Sequence, residues 1–471
     1  MKANHFIILS LLIITISCAG KNNGKNIADE NIDSTLIVKL VPDSFPNGKV
    51  ITHVYCKADA EQSYALYIPV KSNNEPMPVI YFFDPHGDGS LPLDKYKLLA
   101  NRYKFIFIGS NNSRNGNDIP TGENVWNTMF ADSRHRLNIN TNRVYVCGFS
   151  GGAKVATSVA LNHNEIKGVI ANGAGSSEIT DAGNFNFSFT AIAGEGDLNM
   201  TDLVAITNSL DDSKTRHRII FFDGIHEWAP ENTMNDALAA LQLDAMQQNL
   251  IPSNPAFINN YIVESKKRIS DFLQENNYLK AEIECRFSAS VLSGVTNDVA
   301  WFTKKHSDII SNSSYQKQAQ ARQQLLLKEQ KIKQNYELQF QNGDTNYWAK
   351  TIAYVKTKAK GKTPEGGMYK RLQAYLSLAF YSISNQLIKS NQNNEAAYFV
   401  NLYKMVDPIN AEAWYFSAIL DARDNNSRAT KEDLLKAVAN GFNDKSRLMQ
   451  QNEFRSLATQ INLSEIERSM K

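Results

Sequence analysis

From residue 63 to residue 224, short apolar runs alternate with stretches of helical spacing. This alternation constrains the fold more than any other property of the chain. SYALYIPV (63–70), PVIYFFD (78–84), KFIFIGS (104–110), VYVCGF (144–149), IKGVIANGAG (166–175), FSFTAIAGEGD (187–197) and HRIIFFDG (217–224) are rich in aromatic and β-branched residues. They are apolar almost throughout, the pattern of strands buried on both faces. Between them, LPLDKYKLLANRY (91–103) and VWNTMFADSRHRL (125–137) have helical character. GGAKVATSVALNH (151–163) is a third helix, with Val155/Val159 and Ala156/Ala160 four apart on one face. The expectation is a mostly parallel sheet with helices on both faces.

After about residue 250 the strand patterns end and Gln, Lys, Asn, Ala and Leu dominate. QARQQLLLKEQKIKQNYELQF (320–340) places Ile332, Tyr336 and Phe340 on one helical stripe, and KRLQAYLSLAFYSISNQLI (370–388) is a further helix. NEAAYFVNLYKMV (394–406) and AEAWYFSAILDAR (411–423), joined around Asp407-Pro408, resemble a tetratricopeptide-type hairpin, and LLKAVANGF (434–442) starts another such helix. Three clean copies at the roughly 34-residue period of such repeats are not found, so an irregular all-α domain stays open beside that reading. A chain of 471 residues is too long for one ordinary domain. The expected division is a signal segment (1–18), a polar tether (19–45), an α/β domain (46–250) and an all-α helical domain (251–471).

The signal segment is read from Lys2, the apolar stretch FIILSLLIITI (6–16) and Ser17-Cys18. The stretch is shorter than the about 20 apolar residues that span a bilayer. A small residue, a cysteine and then AGKNNGKN resemble a bacterial lipoprotein signal, which implies lipidation at Cys18 and a place in the cell envelope, on the outer membrane or facing the periplasm. An ordinary secretory signal is the alternative. Cys56, Cys147 and Cys285 read as small buried hydrophobes, since an odd number cannot all pair within one chain. No metal-ligand spacing occurs and no cofactor is expected. The net charge of +2 conceals no basic run, which argues against a nucleic-acid partner.

The chemistry centres on Gly-Phe-Ser-Gly-Gly (148–152). Ser150 follows a strand and precedes a helix, the setting in which G-x-S-x-G presents a nucleophile. A serine hydroxyl needs a base to take its proton and a third group to orient that base. In an open α/β sheet these partners gather beyond the C-terminal ends of strands. Asp197 follows FSFTAIAG in the loop EGDLN, with Glu195 as its nearest rival. His226 follows RIIFFDG in IHEW. Of the other histidines, His217 lies at the wrong end of its strand. His135 and His163 belong to helices, and His5, His53 and His306 lie outside the α/β pattern. His86 is the remaining alternative base. The oxyanion would take the amide of Gly151 at the helix start and one from DPHGDG (84–89), where Gly87 and Asp88 are the candidates. A carboxylate at Asp88 would oppose an oxyanion unless it points away. Phe149, Trp228 and Asn112 are candidate substrate contacts, as are Asn111 and Arg114, against the plainer reading of packing and loop chemistry.

DPHGDG, RVYVCGFSGGA, GEGDLN and FDGIHEWAP together resemble the α/β-hydrolase superfamily over residues 60–245, in particular its dienelactone-hydrolase-like and carboxylesterase-like branches. The resemblance implies an α/β-hydrolase fold with Ser150 as nucleophile, His226 as base and Asp197 as its orienting acid. The departure is DPHGDG where a plain H-G-G-G would stand. The superfamily hosts several chemistries on one scaffold, so substrate does not follow from it. The expected function is a cell-envelope serine hydrolase of carboxylic esters, held at the membrane by its lipid. A peptidase, a thioesterase, or a vestigial scaffold that binds a protein partner through its helical half are the alternatives.

Overall fold

The computed structural model describes residues 43–70, 75–180 and 184–470. The signal segment, Cys18 and the tether up to residue 42 lie outside the described residues. Strands β1 (Val50–Tyr55), β2 (Ser63–Tyr67), β3 (Met77–Phe83), β4 (Ile106–Ser110), β5 (Ile139–Phe149), β6 (Ile166–Asn172), β7 (Ser188–Gly194) and β8 (His217–Phe222) form one sheet. Its order is β1-β2-β4-β3-β5-β6-β7-β8. The pairs β1/β2 and β2/β4 are antiparallel, and from β4 through β8 every pair is parallel. The mostly parallel sheet is the one the apolar runs predict, and its strand order is that of the α/β-hydrolase fold that the resemblance implies.

Successive residues of the central strands enter opposite cores. Tyr145, Cys147 and Phe149 join a cluster with Leu93, Tyr96, Leu238 and Leu241 of helices α1 (Ser90–Tyr103) and α5 (Glu231–Gln247). Val144 and Val146 join Trp126, Ala156 and Leu203 of α2 (Ile119–Arg136), α3 (Gly151–Asn162) and α4 (Met200–Asn208). With both faces dry, no strand position is left for polar alternation. Each wholly buried large side chain adds about 1.5–3 kcal/mol of transfer free energy.

Two elements escape the apolar pattern. β1 is an edge strand whose sequence VITHVY is mostly half-buried or exposed, so it carries no continuous apolar run. Helix α2 starts at Ile119 rather than Val125, because Asp118 caps it by accepting from Thr121 N at 2.9 Å and Pro120 sits in its first turn.

The remaining chain is helical: α6 (Pro255–Gln274), α7 (Tyr278–Leu292), α8 (Val299–Ile310), α9 (Ser313–Asn342), α10 (Thr345–Ala359), α11 (Pro364–Lys389), α12 (Asn393–Val406), α13 (Ala411–Arg423) and α14 (Ser427–Ala439), with short helices onward to Ser469. Ile258, Ile262, Cys285, Leu292 and Phe302 of α6 to α8 continue the core of the α1/α5 face. A separate core begins at Tyr336 of α9 and runs to Met470. The change of core therefore falls later in the chain than the change of composition near 250. Sheet and helices belong to one contact unit. Cys56, Cys147 and Cys285 are buried free thiols, and burial pushes the pKa of Cys285 up to about 12.

Candidate active site

Strand β5 ends at Phe149 and α3 begins at Gly151, so Ser150 alone makes the turn between them. Its backbone lies at φ 52° and ψ −122°. That region costs a residue with a side chain on the order of 1–3 kcal/mol, and it lifts the hydroxyl out of the turn. The flanking glycines are required by close approach. A Cβ on Gly148 would strike the carbonyl of Gly152, and one on Gly152 would strike the carbonyl of Phe83 on β3. Ser150 N donates to Asn172 O on β6 at 2.9 Å, which holds the turn against the sheet.

The loops after β7 and β8 bring the partners. Ser150 Oγ and His226 Nε2 are 2.9 Å apart. His226 Nδ1 lies 3.0 Å from both Oδ1 and Oδ2 of Asp197. An ionised carboxylate only accepts, so Nδ1 carries the proton and Nε2 is left to accept from the serine. Asp197 is wholly buried, whereas the His226 side chain is 26% exposed. Asn199 N donates to Asp197 Oδ1 at 2.9 Å and Asn199 Nδ2 to Gly173 O at 2.8 Å. The imidazole rests on the Phe149 ring with centroids 4.7 Å apart. Glu195, the rival acid, gives His226 no hydrogen bond. Its amide donates to Phe222 O at 2.9 Å, and that of Gly196 donates to Gly224 O at 2.8 Å, so the loops that carry Asp197 and His226 extend the β7/β8 pairing.

Among the oxyanion candidates, Gly151 N lies in the first turn of α3, where amides have no intrahelical acceptor. In the DPHGDG loop, Gly87 N donates to Asp84 O at 3.1 Å and His86 N to Asp84 Oδ1 at 2.8 Å. The amide of Gly89 turns to Asn111 Oδ1 at 3.2 Å. Of the two named candidates in this loop, Asp88 is therefore the one whose N–H is not folded back on Asp84. The Asp88 carboxylate accepts from Ser90 Oγ at 2.7 Å and from Ser90 N and Leu91 N at 3.1 and 3.2 Å. It caps the first turn of α1.

The proposed substrate contacts are placed differently from the triad. Phe149 and Trp228 are buried, their rings 5.6 Å apart, and Trp228 Nε1 donates to Asp84 Oδ2 at 2.8 Å. Asn112 Oδ1 accepts from Ser63 N at 2.8 Å and its Nδ2 donates to Glu61 O at 3.0 Å, so its amide holds backbone. Asn111 likewise bonds Thr52 O and Ser63 Oγ, and Arg114 is exposed. His86 is exposed, with Nδ1 3.4 Å from Asp84 Oδ1 and no hydrogen bond to Ser150. His217 pairs with Asp211 at 2.9 Å, at the N-terminal end of β8. Burial would raise the Asp84 pKa, but hydrogen bonds from His86 and Trp228 outweigh it and hold the carboxyl below its ordinary range. The same contact raises the pKa of His86.

Several residues at the site escape sequence reasoning. Buried Asn172, at the end of β6, accepts from Ala229 N at 2.8 Å and donates to Glu227 O at 3.3 Å, bracketing the base loop. A polar residue closing the apolar run IKGVIAN is the signal that points to it. The Asn115 amide oxygen sits where a Gly151 Cβ would be, so the loop after β4 lies over the helix start. Arg371, from α11, donates to Glu195 O, and no local pattern marks it.

No family model matches this chain, and no curated protein matches it. Among solved structures it is similar to a hyperthermophilic esterase from the archaeon Pyrobaculum calidifontis, at 14% identity over 43% of this chain and 85% of that one, with a TM-score of 0.34. It is also similar to an S-formylglutathione hydrolase from Staphylococcus aureus, at 10% identity over 38% and 90% of the two chains, with a TM-score of 0.33. An acylaminoacyl peptidase from Pyrococcus horikoshii matches at 11% identity over 42% and 41%, with a TM-score of 0.32. The fold assignment rests on the strand order and the elbow.

Proposed function

We propose that the chain is a serine hydrolase that cleaves carboxylic esters through an acyl-enzyme. The observation that carries this reading is the unbroken hydrogen-bond path from Ser150 through His226 to buried Asp197. Ser150 Oγ attacks the ester carbonyl as His226 Nε2 takes its proton. Asp197 holds the ring in the tautomer that leaves Nε2 free and stabilises the imidazolium that forms. The oxyanion is received by the amides of Gly151 and Asp88, which donate to the charge as it develops. The imidazolium then gives its proton to the departing alcohol. In the second half, His226 draws a proton from water, which attacks the acyl carbonyl, and returns it to Ser150 Oγ.

A vestigial scaffold has no need of this geometry or of the backbone strain held at Ser150. The test is labelling with a fluorophosphonate probe, expected at Ser150 and absent in Ser150→Ala. Label retained in that variant would overturn the nucleophile assignment. Faster turnover of dipeptide amides than of short p-nitrophenyl esters would replace esterase with peptidase. We assign the chain to the bacterial cell envelope through acylation of Cys18. Incorporation of radiolabelled fatty acid should vanish in Cys18→Ser.

A further inference from the structure

We propose that Arg371 of α11 is a positioning residue for Asp197, which makes the helical half a working part of the active site. The inference rests on the serine hydrolase reading above. Arg371 is 5% exposed and Glu329 of α9 is 2% exposed. Nε and Nη2 of Arg371 both donate to Glu329 Oε2, at 2.9 and 2.6 Å, and Lys333 Nζ lies 2.9 Å from Oε1. The remaining arm, Nη1, donates to the main-chain carbonyl of Glu195.

That carbonyl stands two residues before the acid, in a segment with glycine on either side. Gly194 and Gly196 let the acid loop approach the base loop, since a Cβ on Gly194 would meet Gly224 O at 2.8 Å and one on Gly196 would meet it at 3.0 Å. The same glycines leave the Glu195 peptide poorly constrained by its own sequence. The Glu195 amide is tied to β8, and its carbonyl faces away and is tied to Arg371. The Lys370 stem packs where a Gly196 Cβ would stand, at 3.1 Å, so two consecutive residues of α11 lie on Glu195-Gly196. On the neighbouring strand, Arg322 of α9 lies over the Phe221 ring, 5.2 Å from its centroid. The seam between helices and sheet thus meets the loops that carry Asp197 and His226.

A buried ion pair is weak ground for stability, because apolar residues of similar volume often serve as well. What apolar residues do not supply is a planar fork that serves a carboxylate and a main-chain carbonyl at once. This separates positioning from stability. The combined substitutions Glu329→Leu and Arg371→Met remove both charges together and leave the core filled. In the full chain, kcat on p-nitrophenyl acetate is expected to fall about 10- to 100-fold, the scale of a small misplacement of a catalytic group. KM should stay within about twofold, because no substrate contact is removed. The low-field NMR resonance of the His226 Nδ1 proton, a signature of its hydrogen bond to Asp197, is expected to move upfield as Asp197 drifts away, since the bond weakens with distance.

A folded double variant with wild-type kcat and an unchanged His226 Nδ1 proton resonance overturns the proposal. If the double variant does not fold, Arg371→Lys gives the same two readouts, because an ammonium has no fork to hold both partners. Absence of ester turnover and of fluorophosphonate label in the wild-type chain would sink the hydrolase reading alone. The His226 Nδ1 proton resonance would then still decide whether Arg371 positions the acid.

Discussion

Trp228 donates its indole N–H to Asp84 across 144 residues of sequence, at 2.8 Å, and so ties the loop of the base to the loop after β3. Both side chains are buried, and Trp228 also lies against Phe149, which supports the His226 ring. The residue that the sequence offers as a substrate wall is thus part of the frame that sets the distance between the DPHGDG loop and His226.

Replacing Trp228 by Phe keeps most of the ring volume and removes the donor. Asp84 would then hold one buried carboxylate oxygen without its partner. The expected loss is about 1–3 kcal/mol of stability, the cost of an unsatisfied buried polar group, read from the midpoint of urea unfolding. An unchanged midpoint would mean that Asp84 finds a new donor at no cost.

Asp197→Asn tests the tautomer argument. The amide is nearly isosteric and still fits the buried site, but it can present N–H where the carboxylate accepts. The imidazole then turns its Nε2 proton toward Ser150 and is no longer a base. Turnover of p-nitrophenyl esters should fall by roughly 10⁴-fold with little change in melting temperature. Steady-state kinetics beside a thermal melt check both halves of this expectation.

The sheet, the elbow and the order Ser150, Asp197, His226 are legible in the sequence because each leaves a local mark. Buried strands must be apolar throughout, an elbow must have glycines where strand and helix touch, and the partners must follow strands. What is not legible depends on contacts without sequence proximity. Trp228 meets Asp84 and Arg371 meets Glu195 at separations of 144 and 176 residues, and neither has a spacing to betray it. The helices α6 to α8 are misleading for a related reason. Their composition matches the helical half, yet Ile258, Cys285 and Phe302 pack into the core of the sheet. Composition records helix propensity, whereas core membership is decided by which face finds a partner.

The strain at Ser150 predicts a difference between two inactive variants. Ser150→Ala retains a Cβ at φ 52°, so it keeps the strain. Ser150→Gly is free of it, although the unfolded chain gains freedom. The glycine variant should exceed the alanine variant in stability by about 1–3 kcal/mol less that entropic offset. Equal unfolding midpoints for the two would show that the turn stores no strain.

Acid and base limbs of stability should each report one partner of the Asp84–His86 contact. The Asp84 pKa in the folded chain is below its ordinary 3.8. Its contribution is therefore fully present above pH 3.8 and is lost as pH falls through the lower folded value. The His86 pKa is raised above 6.5, so its contribution is present below pH 6.5 and disappears as pH rises through the folded value. His86 is exposed, which makes its share the smaller of the two. Thermal melts across pH should show His86→Gln flattening the decline above pH 6.5 and weakening the acid limb, because Asp84 loses one of the hydrogen bonds that lower its pKa. Asp84→Asn should flatten the acid limb and also remove the His86 effect. Because no hydrogen bond joins His86 to Ser150, ester turnover in His86→Gln is expected to stay near the wild-type rate. A loss comparable to that of His226→Gln, on the scale of about 10³-fold or more, would return His86 to the role of base.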